Sequence, residues 1–327
     1  MVNIYSEILK NVFPKGYCMV FAYGSSVFKQ LGHVSAKNTM MDFILAVEDP
    51  VEWHRENLIQ NSSHYSSLKY GGPEYISRIQ DKFGAKVYFN TLVPTYAGLI
   101  KYGVVSKENL ISDLLDWETL YLSGRLHKPV NLLYKDDDEE LKTALKINLY
   151  AALHTALLLL PETFTEQNLY QTITGLSYSG DFRMAVGEDR NKVRNIVGAQ
   201  MSEFRKLYFP ILKEMHDYVI LDQGHAAGEQ DVSPSTKFFH LCMLPKMLQH
   251  EIVREWTKDG RTRDMEDVLR AAAMDPDSRD IVLKGVSQIV KYSSLSQSLK
   301  GILTAGAVKS VQYSLAKVKK KMSSLQS

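Results

Sequence analysis

YCMVFAYGSS at residues 17–26 and MMDFILAV at residues 40–47 decide how this chain is read. The first is a run of apolar and aromatic residues that ends in Gly24-Ser25-Ser26. The second is apolar except for Asp42 and is halted by Glu48, Asp49 and Pro50. Continuous apolar runs of strand length, bounded by turn residues, fit strands buried on both faces. A third run, KVYFNTLV at 86–93, stops at Pro94. Between these runs, 52–60 and 73–83 carry helical patterns. Strands alternating with helices predict a mixed α/β layer.

A chain of 327 residues exceeds one ordinary domain of roughly 150 residues, so two domains are expected. With 45% hydrophobic and 23% charged residues it is not a wholly disordered chain. The longest apolar stretch, 149–160, contains His154 and ends at Pro161, too short to cross a bilayer. Two cysteines, Cys18 and Cys242, cannot build a disulfide framework or a cysteine-rich zinc site, and point to a reducing compartment. Near the N-terminus Ile4, Ile8, Leu9 and Val12 share a helical face, but no arginine accompanies them, so neither a presequence nor a secretory signal is read there.

Past residue 135 the texture becomes helical. The acidic cluster 136–140 precedes a long helical pattern through Leu160, as suits the positive end of a helix dipole. Further helices are expected over 163–175 and 192–218, with a polar loop over 223–235. The net charge of +2 hides an uneven distribution: after Asp280 no acidic residue occurs, yet eight lysines follow, Lys300 among them. Such a basic end reads as a contact with a polyanion. The expected organisation is an α/β domain over 1–135, a mainly helical domain over 136–300 and a basic tail over 301–327. In that tail Val308, Val311, Leu315, Val318 and Met322 recur at helical spacing, beside Lys309, Lys317, Lys319, Lys320 and Lys321. This predicts an amphipathic helix on an anionic membrane surface.

Several attractive fragments carry no chemistry. His250-Glu251 begins like a zincin helix, but Arg254 occupies the second histidine position. No Walker loop and no dinucleotide glycine fingerprint occurs. The informative arrangement is a strand, the turn Gly24-Ser25-Ser26, and Asp42 within the next strand. A small Gly-Ser turn lets backbone N–H groups and a hydroxyl approach a phosphate. A strand-borne aspartate can then hold a divalent ion bridging the same phosphates.

This arrangement resembles the signature of the nucleotidyltransferase superfamily. Further segments resemble the mitochondrial phosphatidate cytidylyltransferases, also described as the translocator assembly and maintenance family. They are DPVEWHRENL at 49–58, HYS at 64–66, LIKYGVVS at 99–106, LYLSGRLHKPV at 120–130 and LSYSGDFRMAVGEDRNKVRNIV at 176–197. The resemblance implies an α+β nucleotidyltransferase domain, a following domain of winged-helix type, and Mg²⁺ or Mn²⁺ as cofactor. Its implied reaction joins CTP and phosphatidic acid into CDP-diacylglycerol with release of pyrophosphate, feeding mitochondrial phosphatidylglycerol and cardiolipin synthesis. The implied location is peripheral, on the matrix side of the inner mitochondrial membrane.

One departure stands out. Many superfamily members carry two aspartates separated by one residue, whereas here Ile44 follows Asp42 at that spacing, and the third-strand position is the neutral Asn90. Asp42 is therefore the expected metal ligand, with Asp181 the candidate second carboxylate. Gly24, Ser25, Ser26, Asn90, Tyr178, Arg183 and Lys192 are expected at the nucleotide, and Arg125, Lys128 and His64 at the lipid phosphate. An anionic phosphate nucleophile needs positioning and charge neutralisation more than a strong base. Two rival readings follow from the same residues: a nucleotidyltransferase for RNA or a small molecule, and a non-catalytic assembly protein at a membrane. Aromatic residues interleaved with basic ones, as single-strand nucleic-acid binding requires, are missing from the basic end, so no nucleic-acid partner is expected.

Overall fold

The computed structural model describes residues 4–28, 40–186, 191–221, 227–258 and 260–305. Helix α1 (Ile4–Val12) precedes β1 (Tyr17–Tyr23) and β2 (Met41–Val47), which are apolar because nearly every residue of both is buried. Helix α2 (Pro50–Asn61) starts where it does because the Asp49 carboxylate accepts the Val51 and Glu52 N–H groups at 2.9 and 3.1 Å and Pro50 needs no partner. After α3 (Gly72–Lys82) come β3 (Tyr88–Thr95), β4 (Gly98–Ser106), α4 (Lys107–Asp116), α5 (Ser123–Leu126) and β5 (Asn131–Lys135). The sheet order is β3-β4-β2-β1-β5. Only β2 and β4 run parallel, joined by the α2–α3–β3 crossover; the other pairs are antiparallel.

Strand alternation gives this sheet two distinct faces. Phe21, Tyr23, Ile44, Ala46, Phe89 and Val105 pack toward α4 and α5. Val20, Ala22, Phe43, Leu45, Tyr102 and Val104 pack toward α1 and Trp53 of α2. Asp42 pairs with Tyr23 on one side and Lys101 on the other, two residues before Ile44, so it belongs to the α4–α5 face.

The second half is mainly helical: α6 (Glu139–Leu159), α7 (Glu166–Leu176), α8 (Phe182–Val186), α9 (Lys192–Ala199), α10 (Met201–Glu214), α11 (Pro234–Cys242), α12 (Lys246–Trp256), α13 (Met265–Met274) and α14 (Ser278–Ala305). A small antiparallel sheet orders β6 (Thr163–Thr165), β8 (Ala227–Gln230) and β7 (Val219–Leu221) as β6-β8-β7. Leu153, Tyr170, Phe204, Tyr208, Leu248 and Val286 lie in the shared core of this half.

Several expectations need correction. The third strand runs past Pro94, which an edge strand tolerates because its N–H side can go unpaired. Strands β4 and β5 were not expected. Lys101 and Gly103 break the apolar pattern of β4, and β5 is only half-buried. The helix expected from Thr163 begins at Glu166, since Thr163–Thr165 pair with β8 and Thr165 caps the helix with Asn168. Helix α14 runs through residue 300. Near its end α14 returns to the first sheet, where Gln297 accepts the Ala85 N–H at 2.8 Å and Lys300 donates to the Gln80 and Phe83 carbonyls, both at 2.8 Å. Lys300 is only 3% exposed, so it is an internal clasp rather than part of a polyanion-binding surface. The expected membrane residues Val308, Val311, Leu315, Val318, Lys317, Lys319, Lys320 and Lys321 lie outside the described residues.

Candidate active site

The site grows from the junction of β1 and β2. Gly24 leaves β1 with φ of +86°, a conformation costly for other residues, and a Cβ there would stand 3.4 Å from Asp42 Oδ2. The Val27 and Phe28 N–H groups fold back onto the Gly24 carbonyl at 3.2 and 3.1 Å. The Tyr5 hydroxyl donates to the Ser26 carbonyl at 2.6 Å, fixing the turn from α1. Ser26 Oγ is buried without a partner, a hydroxyl available to a ligand oxygen. Gly24, Ser25, Ser26 and Asp42 are thus brought together as expected.

Around them stands a set of cations and tyrosines. The Arg125 guanidinium lies over the Tyr23 ring at 4.0 Å and near Tyr121 at 5.4 Å, and its Nε is buried without a partner. Lys101 sits 4.3 Å from the Phe89 ring centre, on the same sheet face as Asp42. Burial raises the Tyr121 hydroxyl, but the charges of Lys101, Arg125 and Arg183 outweigh it and bring it below the usual tyrosine range. Lys128 and Lys192 each lie 5.2 Å from the Tyr178 ring centre. Burial first, then Arg125 and Lys192, hold the Lys128 ammonium well below its usual pKa. Crowded, desolvated cations of this kind are stabilised by a multiply charged anion.

Arg125 and Tyr121 are held by a buried carboxylate that sequence reading missed. Asp113 at the end of α4 accepts the Thr119, Leu120, Leu122 and Ser123 N–H groups and the Thr119 and Ser123 hydroxyls, at 2.7–3.0 Å. The second half braces the same loop. Asn148 of α6 donates to the Ser123 carbonyl at 3.1 Å and accepts from Trp117 Nε1 at 2.9 Å, and the Tyr208 hydroxyl donates to the His127 carbonyl at 2.8 Å. Lys128 Nζ donates to Ser177 Oγ at 2.7 Å, tying it to the end of α7.

Three expected residues are placed otherwise. Asn90 pairs with Tyr102, so its side chain points to the α1–α2 face, opposite Asp42. His64 bonds the Tyr102 hydroxyl at 2.9 Å on that same face, beside a network in which Asn57 donates to Tyr65 and Tyr102 at 2.8 and 2.9 Å. Asp181 is not a spare carboxylate: Arg183 Nε and Nη2 engage its two oxygens at 2.6–3.1 Å. Gly180 presses this segment against α14, where a Cβ would come within 2.3 Å of the Ser287 carbonyl oxygen.

Among the described residues no group of three or more His, Cys, Asp or Glu could hold a metal by itself. Asp42 beside the Gly24 turn still fits Mg²⁺ or Mn²⁺, because such ions commonly take one or two carboxylates and complete their shell with substrate phosphates and water. Lys101, Tyr23, Tyr121 and Asp113 escaped sequence reading. Strand parity would have found Lys101 once β4 was recognised; no local signal marks the other three.

A carboxylate at a glycine turn, with half-buried Lys101 and Arg125 on its face of the sheet and Lys128 and Lys192 around Tyr178, suits a polyphosphate. The chain belongs to the mitochondrial phosphatidate cytidylyltransferase family, whose family model matches residues 5–320. It is 50% identical over 315 residues to the mitochondrial phosphatidate cytidylyltransferase of Xenopus laevis, covering 96% of this chain and 93% of that one. To the Danio rerio protein of the same name it is 50% identical, covering 95% and 92%. To the Homo sapiens protein it is 48% identical, covering 90% of this chain and 65% of that one.

Proposed function

We propose that this protein is a phosphatidate cytidylyltransferase, joining CTP and phosphatidate into CDP-diacylglycerol and pyrophosphate. The observation that carries this reading is the convergence of the Gly24–Ser26 turn and Asp42 with Lys101, Arg125, Lys128 and Lys192. It joins a family match that spans nearly the whole chain. The CTP triphosphate lies along the Gly24 turn, with the Ser25 and Ser26 hydroxyls and turn N–H groups at its oxygens. An anionic oxygen of phosphatidate attacks the α-phosphorus, forming a new P–O bond as the bond to the β-phosphate breaks and pyrophosphate leaves. No proton need be removed, since the nucleophile is already anionic at neutral pH. Catalysis therefore rests on positioning and charge neutralisation. Asp42 would hold Mg²⁺ or Mn²⁺, which would neutralise developing charge on the phosphates. Lys101 and Arg125 serve the phosphates from the first sheet, and Lys128 and Lys192 flank Tyr178 at the edge of the second half. The Asp181–Arg183 pair supports the same edge and gives Tyr121 a third neighbouring cation.

Residues 1–135 form the catalytic unit in this reading. The order α6-β6-α7-α8-α9-α10-β7-β8, with the sheet arranged β6-β8-β7, supports a winged-helix type for the next unit. No helix among the described residues is long and apolar enough to cross a membrane, which fits peripheral attachment to the matrix side of the inner membrane through residues 301–327. The test is labelled CTP incorporation with phosphatidate vesicles, with RNA, and with neither. Label in lipid alone is expected; label in RNA, or none from folded protein with either metal, overturns the reading. Truncation after Gly301 should keep CTP binding and lower vesicle co-sedimentation, and unchanged co-sedimentation removes the tail as anchor.

A further inference from the structure

Where the end of α6, β8, α11 and the start of α14 meet, a cavity of about 190 Å³ opens, the space of several water molecules. It shares no residue with the cluster around Asp42; its polar lining comprises Gln230, Asp231, Lys237, His240, Ser278 and Arg279. Two polar atoms of that lining are buried without a partner, His240 Nε2 and Ser278 Oγ, in residues only 2% and 3% exposed. Buried polar atoms in native proteins are nearly always paired, so two orphans in the lining of one cavity call for a partner inside it, a ligand or water.

The charge of the cavity gives the ligand its class. The His240 ring is held through its other nitrogen, since Nδ1 lies 2.8 Å from His154 Nδ1. When His154 donates that hydrogen bond, neutral His240 carries its proton on Nε2 and offers a donor to the cavity. Asp231 is already spent at the start of α11: it accepts the Ser233 N–H at 2.8 Å, the Ser233 hydroxyl at 2.9 Å and the Thr236 hydroxyl at 2.5 Å. The lining then sets two cations, Lys237 and Arg279, against the one carboxylate Asp231, beside the N-terminal end of α14, a 28-residue helix whose first turn also holds Asp280.

We propose that this cavity binds a phosphoryl-type oxyanion, held by Ser278 Oγ, His240 Nε2–H, Lys237 and Arg279, as a second anion site separate from the Asp42 cluster. Inorganic phosphate and the headgroup of a phospholipid share this chemistry.

The test uses the full chain labelled with ¹⁵N-histidine, with a CTP analogue that cannot be cleaved between its α- and β-phosphates already present to occupy the site around Asp42. One arm titrates inorganic phosphate at constant ionic strength, and a parallel arm titrates a soluble short-chain phosphatidate. The His240 and His154 ring resonances should shift saturably in at least one arm, and the arm that saturates names the source. Each lost charge-assisted bond weakens binding on the order of tenfold, so Lys237→Ala with Arg279→Ala should weaken it about a hundredfold. Both side chains reach the surface, so that double variant should fold and turn over CTP and phosphatidate vesicles at the wild-type rate. Ser278→Ala alone should weaken binding about tenfold. Ring resonances that stay put in both arms would leave the cavity filled by water and overturn the proposal, as would a saturable shift that survives the double substitution.

Discussion

Arg125 lies over Tyr23, with its Cζ 4.0 Å from the ring centre, and this contact joins the loop after α4 to the strand that ends at the Gly24 turn. The guanidinium is desolvated, yet the negative tendencies of Tyr23, Tyr121, Tyr178 and Asp42 outweigh that burial and hold it firmly charged. Its buried Nε has no protein partner. A planar cation held over a ring, with an unspent donor, suits a phosphate better than a flexible ammonium does.

Arg125→Lys should therefore retain charge but lose the planar fork. A charge-assisted hydrogen bond contributes about 1.5–3 kcal/mol, so kcat/KM should fall roughly ten- to a hundredfold, with Arg125→Ala lower still. Steady-state kinetics on phosphatidate vesicles checks this. Wild-type kinetics for the lysine variant would show that Arg125 touches no phosphate.

Asp42→Asn should abolish turnover while the fold stays intact. The substitution is nearly isosteric and removes only the charge. Loss of metal-assisted charge stabilisation of several kcal/mol corresponds to roughly a hundredfold or more in rate. A variant retaining a third of the wild-type rate at saturating metal would mean that Asp42 is not a metal ligand.

Asp113→Ala should damage both stability and activity, through the loop it organises. The Thr119 to Ser123 donors would be left buried without acceptors, at about 1–3 kcal/mol for each one that finds no substitute. A drop of about 3 kcal/mol or more in urea unfolding is expected, together with lower turnover. If stability is unchanged, the Tyr121–Arg125 loop is held by something else.

Lys300 makes the stability of the chain depend on pH in an identifiable direction. Burial lowers its pKa from 10.5 to about 7, with Asp81 opposing the shift. Between about pH 7 and 10 the unfolded chain then binds a proton at this position that the folded chain does not, so stability rises with pH there. The slope expected from one group approaches 1.4 kcal/mol per pH unit, a contribution absent below pH 7 where both states are protonated. Denaturant midpoints at pH 7, 8 and 9 should climb in the native chain and flatten in Lys300→Met. Parallel curves for the two proteins would count against a lysine that titrates in the fold.

The sequence by itself determined β1 and β2, two of the three inner strands, and the phosphate turn. A strand buried on both faces must be apolar throughout, and β1 and β2 are. The Gly24–Ser26 turn and Asp42 were legible for the same reason, being polar residues set into those runs. The helix start at Asp138 was also written locally, since a cap acts within three residues of its own position, whereas α2 begins at Pro50, two residues before the expected 52. What the tertiary structure decided was which face each side chain meets. The register of β3 against β4 carries Asn90 away from Asp42, while the alignment of β4 with β2 places Lys101 beside it. No local pattern could tell that Asp113 ties down the Arg125 loop, or that Lys300 is buried against the carbonyls at the end of α3. Those contacts join side chains or loops whose partners the local sequence does not name. They form only because burial makes an unpaired charge or hydrogen-bonding group too costly to leave alone.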